Sequence, residues 1–337
     1  MILVTGATGF VGEHLVSQLL ETGATIRVLC RNTARLGQHG ILSPAAISAL
    51  EIVQGDVTDY FSIEQALNGI ETIFHCAAFI SYDPREREAM FAVNIRGTAN
   101  VVNAALHLDV KRLVHVSSIA ALGQAAEPGL LIDEQASWKT DKNNSNYAIS
   151  KFYSEMEVWR GMEEGLEVIV VNPSVILGPG KVESGSNQLF RKVYEGLRFY
   201  SPGATGFVDV RDVAKAMIML HQQQLTGKRF ILNAHNLSYK KLFDGMAAVF
   251  NKKPVRWRAR KWMGSLAWRT NAFWSKIIGK RIFISRETMR SAFAHKKFGG
   301  TAICEVLPQF SYHPLQSTLA EGAASTLQSA NNQLPKP

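Results

Sequence analysis

The stretch ILVTGATGFVG, residues 2–12, combines a short β-branched run with a glycine-rich turn that leads directly into a helical pattern. Glycines recur every third residue across the turn. A position without a Cβ lets backbone N–H groups at a helix N-terminus approach a pyrophosphate closely. The strand before the turn and the helix after it are the context that this motif requires. The stretch therefore predicts a dinucleotide-binding fold. The expected cofactor contacts here are Gly6, Thr8, Gly9, Phe10, Val11 and Gly12.

Beyond this turn, short β-rich runs alternate with longer helical patterns. Such alternation favours right-handed crossovers and a parallel sheet covered by helices on both faces. We therefore predict a doubly wound α/β (Rossmann) domain over residues 1–180. The predicted strands span 2–5, 25–30, 50–54, 72–76, 112–118 and 167–172. The predicted helices span 10–21, about 62–67, 87–108 and 147–164.

The alternation breaks near residue 180, where the glycine- and serine-rich GPGKVESGSNQ (178–188) is typical of a loop. A helix, the strand-like GFVDV (206–210) and a helix that Asp212 could cap follow it. We expect residues 181–320 to form a smaller, mostly helical substrate lobe, with some segments returning to the main sheet. The small, polar, proline-ended residues 321–337 predict a disordered tail.

Composition narrows the functional class. The 337 residues are 46% hydrophobic and 19% charged, which suits a globular protein with a sizeable core. The chain has no apolar run of about 18 residues, as a membrane-spanning helix would need, and its first residues indicate no secretion leader. The cysteines, Cys30, Cys76 and Cys304, lack CxxC or zinc-site spacing. We expect a cytoplasmic protein without a metal, whose net charge of +9 suits an acidic ligand.

The end of the second predicted strand, VLCRN (28–32), bears on the identity of the dinucleotide. An acidic residue there would accept the adenosine ribose hydroxyls, whereas an arginine would pair with a 2′-phosphate. Cys30 takes the place of the acid, Arg31 follows it, and Arg35 lies one helical turn later. A thiol does not repel phosphate and a guanidinium can bind it bidentately, so NADP(H) is favoured over NAD(H). Alternatively, Arg31 is a solvated arginine that stacks on adenine and allows both cofactors.

Two later strand ends offer further cofactor contacts. Asp56, in GDVTD (55–59), could accept a hydrogen bond from the adenine amino group, and Val57 is expected beside it. A helix N-cap is the alternative role for Asp56 or Asp59. In HCAA, the small residues Ala77 and Ala78 let backbone pass close to a ligand.

Taken together, these motifs resemble the extended branch of the short-chain dehydrogenase/reductase superfamily, also called the NAD-dependent epimerase/dehydratase superfamily. The resemblance runs from residue 2 to about residue 230. The matching segments are TGATGFVG, GDVTD, HCAA, NIRGT (94–98), VSSIAALG (116–123), YAISK (147–151) and NPSVILGPG (172–180). VLCR and VNPSVILGPG look most like the dihydroflavonol 4-reductase and 3β-hydroxysteroid dehydrogenase-like members, and less like sugar-nucleotide epimerases.

The resemblance implies the catalytic residues. Tyr147 would be the general acid or base, and Lys151, one helical turn later, would lower its pKa and hydrogen-bond the nicotinamide ribose. Ser118 would align the substrate oxygen, while Ser117 would be the structural serine. Asn94 matches a position that orients the active-site helix and serves a proton relay, and a structural role is its alternative.

The resemblance also implies contacts, assembly and activity. Pro173 to Ile176 would lie against the nicotinamide carboxamide, and helices near 87–108 and 147–164 would form a homodimer interface. The implied activity is NADPH-dependent reduction of a ketone or aldehyde on a fairly large apolar or ring-containing substrate. Two alternatives stay open: a nucleotide-sugar epimerase or dehydratase with tightly bound NAD, and a non-catalytic cofactor-sensing protein.

Residues 251–300 differ from the rest of the chain. Fourteen Lys and Arg face one acidic residue, Glu287, and four of the six tryptophans lie here. Helical spacing would place five apolar residues on one face: Trp262, Leu266, Phe273, Trp274 and Ile277. We favour packing on the main domain or a lid over an apolar substrate. Peripheral contact of residues 256–280 with an anionic membrane is one alternative. An acidic-substrate or nucleic-acid patch is the other, although we expect no nucleic-acid partner.

Overall fold

The computed structural model describes residues 1–123, 129–142, 144–181, 185–260, 262–263 and 286–331. The strands are β1 (Ile2–Thr5), β2 (Ile26–Cys30), β3 (Glu51–Gln54), β4 (Thr72–His75), β5 (Arg112–Val116), β6 (Leu131–Ile132), β7 (Glu167–Pro173), β8 (Val175–Leu177), β9 (Phe199–Tyr200), β10 (Ala204–Asp209), β11 (Lys228–Leu232), β12 (His235–Ser238), β13 (Trp257–Arg258) and β14 (Lys297–Phe298). The α-helices are α1 (Phe10–Glu21), α2 (Pro44–Ser48), α3 (Tyr60–Leu67), α4 (Arg87–Phe91), α5 (Gly97–His107), α6 (Asn146–Glu163), α7 (Gln188–Tyr194), α8 (Val210–Gln222), α9 (Tyr239–Val249), α10 (Arg286–Phe293), α11 (Ala302–Val306) and α12 (Leu315–Asn331).

The central sheet has seven strands in the order β11-β7-β5-β4-β1-β2-β3, and every neighbouring pair is parallel. The chain runs outward from β1 through β2 to β3, then returns to β4 on the other side of β1. Ligands of such sheets bind in the crevice at the carboxyl ends of the strands, where the strand order reverses. The predicted doubly wound α/β fold is confirmed, and its crevice lies between β1 and β4.

Each face of this sheet is covered by helices because strand residues alternate between the two faces. Val4 belongs to one apolar core, with Leu15 of α1 and Val213 of α8. Its neighbour Leu3 points the other way, into a second core formed with α3, α5 and α6. The two cores hold α1 and α6, the helices that carry the candidate ligand-binding residues, on opposite faces of the sheet.

A smaller lobe follows the main domain. Its sheet, β12-β10-β8, has β10 parallel to β8 and antiparallel to β12. Helices α7, α9 and α12 pack around a third apolar core, which contains Phe190, Phe207, Leu242 and Leu319. Strand β11 leaves this lobe and pairs with β7 at the edge of the main sheet.

The expected disordered tail is wrong as far as residue 331, because residues 321–331 continue helix α12. Their small side chains, which favoured disorder on composition alone, allow close packing against the lobe. A Cβ on Gly322 would lie 2.4 Å from the Phe190 ring, and Ala323 and Thr326 are buried. Glu321 also pairs with Arg211 of α8. Residues 332–337 lie outside the described residues.

Two predicted details of the helices need correction. Asp209 caps α8 by accepting from the Arg211 N–H at 2.8 Å, whereas Asp212 lies within the first turn and accepts from His313. The predicted helix 87–108 is interrupted by a π-helical turn, Ala92–Arg96. Such turns are frequent at functional sites.

In the part of the chain that the structure describes, no helix is long and apolar enough to cross a membrane. All three cysteines are free thiols. Of the predicted apolar face in the basic segment, Trp262 is exposed. The other four residues, Leu266, Phe273, Trp274 and Ile277, lie outside the described residues.

Candidate active site

The glycine turn between β1 and α1 has the shape of a phosphate cradle. Gly6 adopts φ +73°, and a Cβ on it would lie 2.6 Å from the backbone nitrogen of Ala77. A Cβ on Gly12 would lie 2.1 Å from the carbonyl oxygen of Gly6. Gly9 stands at the N-cap, where its lack of a side chain leaves the first N–H groups of α1 open to an anion. This cradle fits the pyrophosphate of a dinucleotide.

A loop after β2 is hydrogen-bonded to this cradle. Gln38 donates from Nε2 to the carbonyl oxygen of Thr8 at 2.6 Å, and Arg35 donates to Gln38 at 2.9 Å.

Glu13, fully buried in α1, accepts from the backbone N–H of His39 at 3.0 Å. Its other oxygen, Oε2, has no hydrogen-bond partner among the described residues. Burial raises the pKa of Glu13 to about 7, while backbone hydrogen bonds and Lys181 act in the opposite direction. No sequence motif indicates this buried carboxyl group.

The predicted cofactor-selecting residues lie together at the ends of β2 and β3. Arg31 is mostly exposed, and its guanidinium lies 3.7 Å from the Asp56 carboxylate. Asp59 is the N-cap of α3, whereas Asp56 accepts from the Thr58 N–H at 2.9 Å in a turn. The Cys30 side chain is buried, so it offers no charge to a ligand here. An exposed ion pair of this kind contributes little to stability, so Arg31 can exchange Asp56 for a ligand phosphate.

The remaining predicted cofactor residues lie at the same edge of the sheet. Val57 is buried against Gly97, whose added Cβ would lie 2.9 Å from it. Ala77 follows β4 and contacts the glycine turn, and Pro173 ends β7. Ile176 lies in β8, and the Ser186 hydroxyl donates to its carbonyl oxygen. Phe10 packs over Gly180 beside the cradle.

The predicted catalytic side chains converge at the end of β5. Helix α6 begins here because Ser145 caps it, accepting from the Ala148 N–H at 3.0 Å. Tyr147 and Lys151 then lie one turn apart on the helix. The Ser118 hydroxyl lies close enough to the Tyr147 phenol to lower its pKa, and the buried Lys151 ammonium donates to the Val116 carbonyl oxygen at 2.8 Å. The structure thus brings Ser118, and not Ser117, to Tyr147.

Burial governs the protonation of this pair. Burial raises the pKa of Tyr147, and the hydrogen bond from Ser118 partly offsets that rise. Burial lowers the pKa of Lys151 to about 8, and the negative charge of Glu155 acts in the opposite direction. Desolvation is the larger of the two effects on the phenol, so the pKa of Tyr147 lies above its ordinary value. Tyr147 is a protonated phenol at neutral pH, which is the form that donates a proton.

Asn94 lies at the π-helical turn and joins two elements of the site. Its side chain accepts from the Phe79 N–H at 2.7 Å and donates to the Phe79 carbonyl oxygen at 3.0 Å. It also donates to Ser150 of α6 at 2.9 Å. Thr98 donates to the Asn94 carbonyl oxygen at 2.7 Å. Asn94 thereby ties the loop after β4 to the helix that carries Tyr147.

Comparison with known proteins agrees with this geometry. The sequence model of the NAD-dependent epimerase/dehydratase family matches residues 2–233. This span is more than half of the chain and includes both the glycine cradle and α6. The chain belongs to this family. It is an NAD(P)-dependent oxidoreductase of the extended short-chain dehydrogenase/reductase type.

Relatives with reductase names are among the similar proteins. A putative dihydroflavonol 4-reductase of Synechocystis is 31% identical over 254 residues, covering 73% of this chain and 71% of the relative. Cinnamoyl-CoA reductase 1 of Petunia hybrida is 30% identical over 266 residues, covering 76% and 79%. The crystal structure of gox2253 superposes with a TM-score of 0.81 at 26% identity and covers 98% of both chains.

Glu155 is a buried carboxylate of this oxidoreductase that the sequence analysis missed. It accepts from Ser117 at 2.6 Å, from Asn172 at 2.9 Å and from Trp159 at 3.2 Å. The Arg229 guanidinium of β11 lies 2.5 Å from it. Its spacing, one turn after Lys151 and two after Tyr147, was a readable signal. The carboxylate joins α6 to the ends of β5 and β7 behind the catalytic residues.

The substrate side of the oxidoreductase site also contains residues that no motif indicated. The Tyr82 and Tyr147 rings lie 5.8 Å apart at an angle of 60°. Burial raises the pKa of Tyr82, with smaller contributions in the same direction from Tyr147, Tyr239 and Glu287. Glu287 of α10 accepts from the Asn146 N–H at 3.3 Å. The C-terminal lobe therefore reaches the start of α6 beside Tyr147.

Proposed function

We propose that the protein reduces a ketone or aldehyde with NADPH and that Tyr147 is the general acid. The observation that carries this proposal is the convergence at the end of β5, where Ser118 lies beside Tyr147 and Lys151 is buried one helical turn away. A phenol that donates to a carbonyl oxygen while a second hydroxyl aligns that oxygen is suited to reduction. Ser118, Tyr147 and Lys151 are the proposed catalytic residues.

In this mechanism a new C–H bond and a new O–H bond form at the carbonyl group. NADPH, when bound, supplies the hydride. Tyr147 gives its proton to the oxygen as negative charge develops there, and Ser118 holds the oxygen at the phenol. The Lys151 ammonium stabilises the phenolate that remains, because opposite charges attract strongly at a buried site. Asn94 holds α6 in position relative to the loop after β4.

Several contacts support NADPH as the preferred cofactor. Arg31 would hold the 2′-phosphate, and the uncharged Cys30 beside it would not repel that group. The carboxylate of Asp56 would then turn to the adenine. Backbone at Gly6, Gly9 and Gly12 would hold the pyrophosphate, and Ala77, Ala78, Val57, Pro173 and Ile176 would line the rest of the path.

The proposed substrate is fairly large and apolar or ring-containing. The Tyr82 ring beside Tyr147 supports this class, because it can pack against a ring of the substrate. The names of the two reductase relatives, which refer to dihydroflavonol and cinnamoyl-CoA, also suit it.

We also propose a cytoplasmic location and a homodimer. The free thiols suit a reducing compartment. The dimer would form through α4, α5 and α6, where Tyr153 is half exposed. Light scattering from a purified sample should give twice the mass of the 37.2 kDa chain.

The testing experiment titrates purified protein with NADPH and with NADH, then supplies a panel of apolar and aromatic ketones and aldehydes. Tighter NADPH binding and consumption of NADPH with a carbonyl substrate would support the proposal. Arg31→Ala should remove about 1–2 kcal/mol of NADPH preference and leave NADH affinity unchanged. Equal affinities in the wild type and no turnover of any carbonyl would refute it.

A nucleotide-sugar epimerase or dehydratase is the second candidate, because the name of the matching family refers to these two activities. Such an enzyme would retain NAD during purification. It would convert a UDP- or GDP-sugar without net consumption of cofactor.

A further inference from the structure

The C-terminal lobe presents three aromatic rings to solvent. Strands β9 and β13 are parallel, and Phe199 lies directly beside Trp257. Tyr200, the next residue of β9, packs against the core of the lobe. Since side chains alternate along a strand, Phe199 and Trp257 point outward. Their exposed fractions are 46% and 58%, and that of Trp262 is 62%.

These rings belong to one concave surface. A groove of about 780 Å³ is lined by Phe199, Trp257, Arg258, Arg260, Trp262 and Phe293, among others. Isolated exposed apolar residues are common on proteins, but adjoining aromatic rings around one groove indicate a site of interaction. We call this surface the Trp–Arg groove.

The charge around the Trp–Arg groove is positive. Residues 251–263 include six Lys and Arg and no acidic residue. Four arginine side chains are exposed in or next to β9 and β13: Arg198, Arg256, Arg258 and Arg260. The last two line the groove. Nearby acids are already paired, since Glu195 binds Arg191 and Asp244 binds Lys240. The groove therefore complements an anionic partner.

We propose that the Trp–Arg groove docks the protein on the interface of an anionic lipid bilayer. Tryptophan rings partition to the headgroup level of a bilayer, and arginine stems lie along apolar surface while their charges reach phosphate. The lining residues that the structure describes include no Asn, Gln, Ser or Thr, and seven of the nine are apolar. A lipid surface suits this mostly apolar lining better than a nucleic acid does.

Docking would bring the catalytic cleft close to the bilayer. Phe293 of the groove and Glu287, which bonds Asn146 beside Tyr147, belong to the same helix, α10. Six residues of α-helix span about 9 Å. If the proposed function holds, an apolar substrate dissolved in the bilayer would have a short path to Tyr147.

The test is sedimentation of the full-length protein with vesicles of phosphatidylcholine, alone or mixed with phosphatidylglycerol. The wild type should bind the anionic vesicles at least about tenfold more tightly than the neutral ones. Trp257→Ser/Trp262→Ser should weaken binding to the anionic vesicles about tenfold or more, because the rings no longer insert. Arg258→Gln/Arg260→Gln should weaken it about 20-fold and remove the preference for anionic lipid.

Matched controls separate this surface from general adhesion. Phe61→Ser removes an exposed ring elsewhere, and Lys111→Gln/Lys228→Gln removes two exposed charges from the opposite end of the sheet. Both controls should bind vesicles like the wild type, and circular dichroism should show that every variant folds. Equal binding by all variants, or no binding to anionic vesicles, would overturn the proposal. Binding of an oligonucleotide instead of vesicles, lost in the same variants, would also overturn it. None of these outcomes depends on whether the enzyme turns over a ketone.

Discussion

The nucleotide end of the ligand cleft is built from backbone, whereas its catalytic end is built from buried side chains. At the nucleotide end the cradle can form because Gly6 and Gly12 have no Cβ that would collide with neighbouring backbone atoms. At the catalytic end the Lys151 ammonium and the Glu155 carboxylate are both buried, and hydrogen bonds satisfy them. The first end is therefore sensitive to added volume and the second to a change in charge or hydrogen bonding.

The largest expected effect is at the catalytic end. Tyr147→Phe removes the proton donor but keeps the ring against Tyr82, so kcat should fall by about 1,000-fold or more. NADPH affinity, measured by nicotinamide fluorescence, should stay within about threefold of wild type because the cradle is untouched. Ser117→Ala, at the neighbouring serine that does not reach Tyr147, should cost far less kcat. Comparable kcat for Tyr147→Phe and wild type would remove Tyr147 from the mechanism.

Added volume should be the main disturbance at the nucleotide end. Gly12→Ala places a Cβ 2.1 Å from the Gly6 oxygen, which distorts the turn and should cost about 1–3 kcal/mol of stability as well as NADPH affinity. Gly9→Ala has a milder contact, 3.1 Å, and should fold normally while NADPH affinity falls about tenfold. Ser17→Ala on the same helix is the control. Unchanged affinity in Gly9→Ala would contradict the cradle.

Much of both ends is predictable because the signals are local. The glycine turn is defined within seven residues, and one helical turn separates Tyr147 from Lys151, so the sequence alone specifies each arrangement. Ser118 was separable from Ser117 only through the family resemblance. All six predicted strands of the main domain are present, since β-branched runs between helices leave few alternatives.

The parts that could not be predicted depend on contacts between distant segments. The helical spacing places Glu155 on the same side of α6 as Tyr147 and Lys151, but no local pattern indicates its partners. These come from distant segments: Ser117 after β5, Arg229 of β11 and Asn172 of β7. Glu287 reaches Asn146 from 141 positions away. The small residues of α12 have the composition of a disordered tail, and only the closeness of Phe190 gives them a packing role.

A smaller effect should appear in stability at the nucleotide end. The pKa of Glu13 is raised from 4.5 to about 7, so the folded state holds this proton more tightly than the unfolded state. Ionisation of Glu13 therefore destabilises the fold progressively as pH rises from 4.5 to about 7. Glu13→Gln should raise the free energy of unfolding by about 1–3 kcal/mol at about pH 8.5 and by much less at about pH 5. Urea unfolding measures this, with Glu21→Gln on the exposed side of α1 as control. An equal change at both pH values would show that Glu13 is not the titrating group.

The smallest expected effect is a shift of the pH profile at the catalytic end. Activity should fall as pH rises through the Lys151 pKa of about 8, because a neutral amine cannot stabilise the phenolate. Glu155 keeps that pKa from falling further, so Glu155→Gln should move the alkaline limb of kcat to lower pH. Gln preserves the size of the side chain and an acceptor for Ser117. A limb at the same pH in both proteins would confine Glu155 to a structural role.

The central claim is that hydride leaves the cofactor for a carbonyl carbon while Tyr147 supplies the proton. The most direct measurement uses NADPH deuterated at both C4 positions, an accepted ketone, and mass spectrometry of the product under single-turnover conditions. We predict one deuterium on the carbinol carbon in the wild type and almost none formed by Tyr147→Phe in the same time. Product without deuterium, or label that returns to the cofactor while a sugar nucleotide is isomerised, would contradict the assignment as a carbonyl reductase.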